Sequence, residues 1–136
     1  MIRAVICDDE DAALKIITYS IENQGIPIEI VGTASDGKEA LALIKKENPN
    51  LVFLDIEMPG MNGFDVVEKL NAVNCKVIII TAYSTFSYAQ RALRLGVSDI
   101  IEKPIDTDTL KEAIQRAIGW EFSGNEALNK ALFYIH

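Results

Sequence analysis

The stretch that decides the fold reads LVFLDIEMPGMNG and covers residues 51–63. Its first four residues are apolar, as expected for a short strand that is buried on both faces of a sheet. Asp55 follows this run directly, and the residues after it are rich in Pro, Gly and Asn, which is typical of an ordered loop. The stretch therefore predicts a buried strand that ends in a carboxylate at the start of a loop.

The same arrangement recurs along the chain, because polar residues stand at or just past the end of other apolar runs. Asp8 and Asp9 follow a strand predicted at residues 2–7, Thr81 follows one at 76–80, and Lys103 lies just past one at 98–101. A further strand is predicted at 28–32. If these strands are parallel neighbours, their carboxyl ends share one edge of the sheet, where open α/β folds bind ligands.

Helical patterns separate the predicted strands, each with a start or stop signal. We predict caps or ends at Asp11, Gly25, Ser35-Asp36 with Glu39, Pro49, Asn62, Ser84 or Thr85, Gly96 and Asp106, and an inward face of Phe86, Ala89 and Leu93 on the fourth helix. Five strand–helix repeats with continuous apolar strands predict an α/β fold with a five-stranded parallel sheet, doubly wound as (βα)5.

Three carboxylates, one hydroxyl and one ammonium at a single sheet edge indicate phosphate chemistry. Neighbouring carboxylates repel one another, and Mg²⁺ is the hard cation that suits such oxygen ligands. Thr81 and Lys103 offer donors to an anionic phosphoryl oxygen. A carboxylate can itself be the nucleophile and form an acyl phosphate. The residues alone do not decide which Asp attacks, although Asp55, alone on the central strand, fits better than the adjacent pair.

Composition narrows the class of protein. The length suits about one domain, and a net charge of −7 argues against this segment gripping nucleic acid by itself. No long apolar run or signal peptide is visible, so we expect a cytoplasmic protein without a membrane span. Cys7 and Cys75 have no metal-site spacing and are interpreted as buried small hydrophobic residues.

Four stretches resemble the receiver domain of two-component response regulators. They are VICDDE (5–10), VFLDIEMPGMNG (52–63), IITAY (79–83) and LGVSDIIEKP (95–104). The resemblance covers about residues 1–120. It implies the flavodoxin-like strand order 2-1-3-4-5 and a phosphoacceptor that is not an enzyme beyond self-catalysed phosphotransfer and autodephosphorylation.

The resemblance also implies roles for individual residues. Asp55 accepts a phosphoryl group from a phosphohistidine on a sensor histidine kinase, which acts in trans because the only His is His136. Mg²⁺ is held by Asp9, Asp55 and the Glu57 backbone carbonyl. Asp8 supports the metal indirectly, through the shell of ligands around it. Thr81 and Lys103 hold the phosphoryl oxygens, the small Ala82 leaves room for the group, and a cis bond precedes Pro104.

Three further positions bear on switching. Met58 and Tyr83 flank the site and either gate water or simply pack the loop. Ile100 stands where many receivers carry Tyr or Phe, so an aromatic rotamer switch at that position is excluded. We therefore expect Thr81 and the loop at 82–86 to move toward the added charge on activation.

The residues after the receiver-like part, 121–136, are interpreted as a linker and the start of a truncated output domain. An apolar stripe at helical spacing follows the linker, and it comprises Ala127, Leu128, Ala131, Leu132 and Ile135. This stripe docks on the receiver, forms a homodimer contact on activation, or opens an AraC-type helix-turn-helix domain, to which it is similar. DNA binding would then depend on that output domain.

Two other functions compete with the phosphoacceptor. A haloacid dehalogenase-like phosphohydrolase also places an Asp, a Thr and a Lys at strand ends, but it needs a second Asp where this chain has Glu57. A receiver-like interaction module that takes no phosphate is disfavoured by the intact Asp55, Thr81 and Lys103.

Overall fold

Strands and helices alternate along the chain, as the sequence predicts. The computed structural model describes residues 1–70 and 75–122. Its strands are β1 (Ile2–Cys7), β2 (Ile28–Ala34), β3 (Leu51–Leu54), β4 (Lys76–Thr81) and β5 (Asp99–Glu102). Its helices are α1 (Asp11–Asn23), α2 (Gly37–Glu47), α3 (Gly63–Lys69), α4 (Phe86–Arg94) and α5 (Thr107–Phe122).

The five strands form one parallel sheet in the order β2-β1-β3-β4-β5. This confirms the doubly wound fold and the strand order that the resemblance implied. The order reverses direction between β1 and β3, where the carboxyl ends of the two strands leave a crevice in folds of this kind. Asp8, Asp9 and Asp55 follow these two strands.

Each face of the sheet has its own apolar core, because successive strand residues point to opposite faces. Ile6 and Phe53 lie in the core covered by α1 and α5, whereas Cys7 and Leu54 lie in the core covered by α2, α3 and α4. All four side chains are fully buried. Burial on both faces explains why the strands read as unbroken apolar runs.

Several predicted caps are confirmed. The Asp36 side chain accepts a hydrogen bond from the Glu39 N–H at 2.7 Å, and Asn62 accepts one from Asp65 at 3.0 Å. Thr85, rather than Ser84, caps α4 through the Tyr88 N–H at 3.2 Å. Asp106 accepts from Thr109 at the start of α5 at 2.8 Å.

The predicted cap of α1 is wrong. Asp11 is the first residue of the helix, and the N-cap residue is Glu10, whose side chain makes no capping hydrogen bond. The Glu10 N–H is instead held by the Asp8 carboxylate at 2.9 Å, which turns the chain directly after β1. The turn therefore uses Asp8, which belongs to the acidic edge formed by Asp8, Asp9 and Asp55, and it leaves Asp11 exposed.

The predicted inward face of α4 is also wrong for two of its three residues. Phe86 and Leu93 are each 78% exposed, and Ala89 is only half-buried. The helix instead turns Ala92 fully inward, with Tyr88 half-buried one turn earlier. Ala92 is small, so it lets the backbone of α4 approach the sheet closely.

Element ends differ from the prediction by a residue or two. β2 continues to Ala34 because the pairing of β1 with β2 shifts between Ala4 and Val5. β5 begins one residue late, at Asp99, and α5 runs to Phe122 although a linker was predicted from residue 121. The predicted apolar stripe of the C-terminal segment lies outside the described residues. Among the described helices, none is long and apolar enough to span a membrane.

Candidate functional site

The carboxylates of Asp8, Asp9 and Asp55 meet at the carboxyl edge of the sheet. One oxygen from each lies within 4.8 Å of the others. The ends of β1 and β3 are aligned because the Asp55 N–H donates to the Cys7 carbonyl at 2.9 Å. Asp8 and Asp55 are 2% and 3% exposed, whereas Asp9 is open to solvent. Two of the three negative charges are therefore taken almost entirely out of water.

Lys103 reaches into the same cluster from the end of β5. Its Nζ lies 3.0 Å from Asp8 Oδ2 and 3.3 Å from Asp55 Oδ2. The Lys103 N–H also donates to the Thr81 carbonyl at 2.7 Å, which fixes the backbone beside β4. The peptide bond from Lys103 to Pro104 is cis, the form that the resemblance implied.

Sequence reasoning missed the role of Glu10. Its carboxylate is a third ion-pair partner of the Lys103 ammonium, and it lies at the outer, exposed side of the site. Glu10 belongs to the VICDDE stretch, so its position after two Asp residues was the available signal. The ion pair joins residues far apart in sequence, and only the folded sheet brings them together.

The surroundings of this edge raise the pKa values of two groups, which disfavours the charged form of Asp55 and favours the charged form of Lys103. Burial and the neighbouring Asp8 charge raise the pKa of Asp55 to about 6, although Lys103 and the Glu57 N–H act to lower it. For Lys103, burial lowers the pKa, but hydrogen bonds to Glu10 and Asp8 and the charge of Asp55 outweigh that effect and raise it. The site thus keeps the Lys103 ammonium charged and resists the ionisation of Asp55.

These residues fit a hard divalent cation. The donor set is all oxygen, and the single Lys103 ammonium does not neutralise the three carboxylates of the cluster. Asp9 has no hydrogen-bond or ion-pair partner among the residues that the structure describes, so its oxygens are free to bind a ligand. Mg²⁺ is the expected ion, since it commonly binds through one or two carboxylates and retains water.

Glu57 lies beside the cluster and is held in two directions. Its N–H donates to Asp55 Oδ1 at 3.2 Å. Its carboxylate accepts a hydrogen bond from the Tyr88 hydroxyl of α4 at 3.0 Å. The side chain of Glu57 therefore points toward α4, while its backbone stays next to Asp55.

Thr81 and Ala82 complete the edge on the β4 side. Thr81 is fully buried, and its Oγ1 accepts a hydrogen bond from the Tyr83 N–H at 3.1 Å. Ala82 is exposed and lines a cavity of about 510 Å³ together with Glu10 and Lys103. Its other walls come from α1 and from Pro104 and Ile105 after β5, so it lies on the α1 side of Lys103 and is not lined by Asp55 or Thr81.

The three positions expected to gate or switch lie in different surroundings. Met58 is 7% exposed and belongs to the apolar core shared with α3, so it packs the loop. Tyr83 is 60% exposed. Ile100 is half-buried against the same core as Met58. Among these, Tyr83 alone presents a large exposed side chain near Thr81.

Gly63 is a second residue whose importance the sequence analysis missed. A Cβ atom at this position would lie 2.4 Å from the Asp55 carbonyl oxygen, which is far inside van der Waals contact. The Gly63 N–H donates to the Ile56 carbonyl at 3.0 Å. The start of α3 therefore packs directly on the backbone that carries Asp55, and only glycine permits this approach.

The two thiols play no visible part in the site. Cys7 is fully buried, and burial with the charges of Glu39 and Asp8 raises its pKa to about 12. Both cysteines are free. The interpretation as a buried small apolar residue is confirmed for Cys7, whereas Cys75 is only half-buried.

The fold and the site together define a doubly wound α/β protein with an acidic, lysine-bearing pocket at the switch point of its sheet. A family model described as the response regulator receiver domain matches residues 4–115. The chain belongs to this family, whose members are the receivers of two-component signalling systems.

Individual relatives agree with this assignment. The transcriptional regulatory protein HptR of Staphylococcus aureus is 35% identical over 118 residues, which are 87% of this chain and 47% of that protein. The chain spans a little under half the length of the curated relatives that it matches first.

Solved structures agree as well. The receiver domain of AraT, a response regulator from Geobacillus stearothermophilus, is 35% identical with a TM-score of 0.80, and the match covers 91% of this chain and 98% of that one. CheY in the CheX–CheY–BeF3–Mg²⁺ complex of Borrelia burgdorferi is 29% identical with a TM-score of 0.77, over 84% of this chain and 87% of that one.

Proposed function

We propose that Asp55 is the phosphoacceptor of this receiver domain. The observation that carries the proposal is the convergence of three carboxylates and the Lys103 ammonium at the ends of β1, β3 and β5. Asp55 follows β3, the central strand of the sheet, and its carboxylate lies within reach of both the other two acids and the Lys103 ammonium. Its oxygens can attack a phosphorus atom while a cation and an ammonium stabilise the charge that develops.

The donor is a phosphohistidine on a sensor histidine kinase. An Asp55 carboxylate oxygen attacks the phosphorus, the P–N bond breaks, and its electron pair returns to the imidazole nitrogen, which takes up a proton. The product is an acyl phosphate on Asp55. The site also catalyses its own dephosphorylation, in which water attacks the phosphorus, the P–O bond to Asp55 breaks, and inorganic phosphate leaves as the carboxylate is restored.

The remaining site residues hold the reacting groups. Mg²⁺, when bound, neutralises the carboxylates and the phosphoryl oxygens. Asp9, Asp55 and the Glu57 carbonyl bind it, and Asp8 acts through its shell. The BeF3 and Mg²⁺ in the CheY complex of B. burgdorferi, a chain of the same family and fold, support this part of the proposal.

Lys103, Thr81 and Ala82 accommodate the phosphoryl group. Lys103 moves from its carboxylate partners onto a phosphoryl oxygen, and the Thr81 hydroxyl donates to another. Ala82 leaves room beside them, since its side chain is small and exposed. Tyr83, which is exposed next to Thr81, limits the access of water, whereas Met58 supports the loop from within the core.

Phosphorylation controls a transcriptional output in the cytoplasm. The relative HptR is a transcriptional regulatory protein, and this chain covers less than half of its length, which supports this role. DNA contact then belongs to a C-terminal output domain, since the net charge of −7 does not favour contact by this segment. The activated receiver pairs with a second copy of itself.

The proposal is tested by Mg²⁺-dependent labelling with phosphoramidate, a small phosphodonor. We expect one phosphoryl group on the wild type, none on Asp55→Asn, and normal labelling of Asp36→Asn, which keeps the α2 cap. Labelling that persists in Asp55→Asn contradicts the assignment. Sustained turnover of many phosphoesters supports a hydrolase instead.

A further inference from the structure

The Glu57 carboxylate is kept out of the acidic cluster, although Glu57 is only two residues from Asp55. The cluster of carboxylates within 4.8 Å contains Asp8, Asp9 and Asp55 but not Glu57, among the residues that the structure describes. The Glu57 N–H is nevertheless bonded to Asp55 Oδ1. A glutamate side chain has three rotatable bonds, so from this backbone position its carboxylate can turn toward the cluster or away from it.

The Tyr88 hydroxyl selects the outward direction. It donates to Glu57 Oε1 at 3.0 Å, and it is the one hydrogen-bond donor to that carboxylate in the described part of the chain. Glu57 is exposed, so burial does not hold its side chain in place. The hydrogen bond from α4 therefore determines where this charge lies.

The ring of Tyr88 is itself fixed, which makes the hydroxyl a rigid anchor. It meets the buried Phe64 ring edge-on, with centroids 5.3 Å apart and an interplanar angle of 86°. The Arg91 guanidinium lies 4.6 Å from the centroid of the same Phe64 ring and pairs with Glu68 at 2.9 Å. These contacts join α4 to α3 and hold the hydroxyl over the loop after β3.

We propose that Tyr88 is a positioning residue that holds the Glu57 carboxylate on α4 and so keeps a fourth negative charge away from the cation site. The inference rests on the proposed function, because the cation site is the one formed around Asp55. The Tyr88 hydroxyl thereby weakens Mg²⁺ binding and keeps the approach to Asp55 open. Through this hydrogen bond, the position of α4 also determines how far the Glu57 charge lies from the cation site.

The test is isothermal titration of the 136-residue chain with Mg²⁺. Tyr88→Phe removes the hydroxyl and keeps the ring against Phe64, and it should tighten Mg²⁺ binding by about two- to fivefold as the released carboxylate approaches the cation. Tyr19→Phe is the matched control, because Tyr19 is 59% exposed on α1. It should leave the Mg²⁺ affinity unchanged.

A second pair of variants separates positioning from simple support of the fold. In chains that carry Glu57→Gln, adding Tyr88→Phe should no longer change the Mg²⁺ affinity, because no charge remains to be released. A purely structural role of Tyr88 would lower the urea midpoint but would not produce an affinity change that depends on Glu57.

The outcomes distinguish this inference from the function on which it rests. Equal or weaker Mg²⁺ binding by Tyr88→Phe, with normal binding by the wild type, overturns the inference and leaves the phosphoacceptor intact. An affinity gain that persists in the presence of Glu57→Gln also overturns it. Failure of the wild type to bind Mg²⁺ overturns both.

Discussion

The negative charge of ionised Asp55 lowers the stability of the folded protein. The side chain is 3% exposed and lies beside Asp8, and these two features raise its pKa to about 6. Lys103 offsets part of this effect but is shared with Asp8 and Glu10. A cation bound beside Asp55 would therefore stabilise its ionised form.

The raised pKa predicts how Asp55 affects stability without metal. A carboxyl group with a higher pKa when folded binds its proton more tightly in that state, so the free energy of unfolding falls as pH rises from about 4 to about 6. In EDTA, Asp55→Asn should therefore raise the free energy of unfolding by about 1–3 kcal/mol at pH 7.5 and by little at pH 4.

Urea denaturation at the two pH values measures this difference. Asp36→Asn provides the comparison, because Asn also caps a helix and Asp36 lies outside the acidic cluster. An Asp55→Asn gain of equal size at both pH values would show that the charge of Asp55 is not its cause.

Gly63 sets the position of the Asp55 backbone. Because a Cβ atom would lie 2.4 Å from the Asp55 carbonyl oxygen, Gly63→Ala must push α3 away from β3. We expect a loss of about 1–3 kcal/mol in the free energy of unfolding, typical of overpacking, and slower phosphorylation of Asp55.

The same substitution at Gly119 should act in the opposite sense. Within the described part of the chain, and apart from its own neighbours and helix backbone, no atom lies within 4 Å of a Cβ built there, and the residue is inside α5. Gly119→Ala should therefore raise the free energy of unfolding by about 0.5–1 kcal/mol. If both variants lose stability equally, the close approach at Gly63 is not the reason.

At the scale of elements, the strands were predictable and one helix face was not. β1 and β3 begin and end where their apolar runs do, because a strand buried on both faces leaves a continuous signal. α4 is short and has apolar residues on two sides. Phe86 and Leu93 matched a helical stripe as well as Tyr88 and Ala92 did, and the contacts of α4 with Phe64 decided between them.

The site shows the same division between local and long-range information. Asp8, Asp9, Asp55, Thr81 and Lys103 were identified because each ends a strand, and parallel strands end at one edge. The ion pair from Lys103 to Glu10 and the hydrogen bond from Tyr88 to Glu57 join distant segments. Their side chains carry no periodic signal, so the sequence alone does not predict them.

The loop between β4 and α4 is expected to respond when Asp55 is phosphorylated. The Thr81 hydroxyl now accepts from the Tyr83 N–H at 3.1 Å, and it cannot keep that geometry if it moves to a phosphoryl oxygen. We predict that beryllium fluoride with Mg²⁺ speeds amide exchange at Tyr83, measured by NMR, and leaves residues 15–23 of α1 unchanged.

Variants at Thr81 provide the controls for this movement. Thr81→Ser keeps the hydroxyl and should preserve the response of Tyr83. Thr81→Ala removes the hydroxyl, so the Tyr83 amide should exchange fast even before the phosphate mimic is added. Adding the mimic should then leave its exchange rate unchanged. Activation is expected to rely on this loop because Ile100 stands at the position of the usual aromatic residue. A wild-type loop that does not respond to the phosphate mimic would refute that expectation.

For the whole molecule, the cation site predicts a link between metal binding and folding. A ligand that binds only the folded state stabilises it, by about 2.7 kcal/mol at a concentration one hundred times its Kd. Mg²⁺ should therefore raise the urea midpoint of the wild type, and EDTA should reverse the gain. Asp9→Asn should lose most of the effect.

Glu22→Gln serves as the control for this link, because Glu22 lies near the far end of α1 from the acidic edge. It should respond to Mg²⁺ as the wild type does. An equal Mg²⁺ effect in Asp9→Asn would place the cation elsewhere.

The most direct test of the central claim is to locate the phosphoryl group itself. An acyl phosphate is reduced by borohydride to an alcohol, so a phosphorylated aspartate becomes homoserine, which peptide mass spectrometry can assign to a position. After treatment with phosphoramidate and Mg²⁺, we predict homoserine at residue 55 and none when Mg²⁺ is chelated. Homoserine at position 8 or 9, or unmodified Asp55 in a chain that carries phosphate, would contradict the account.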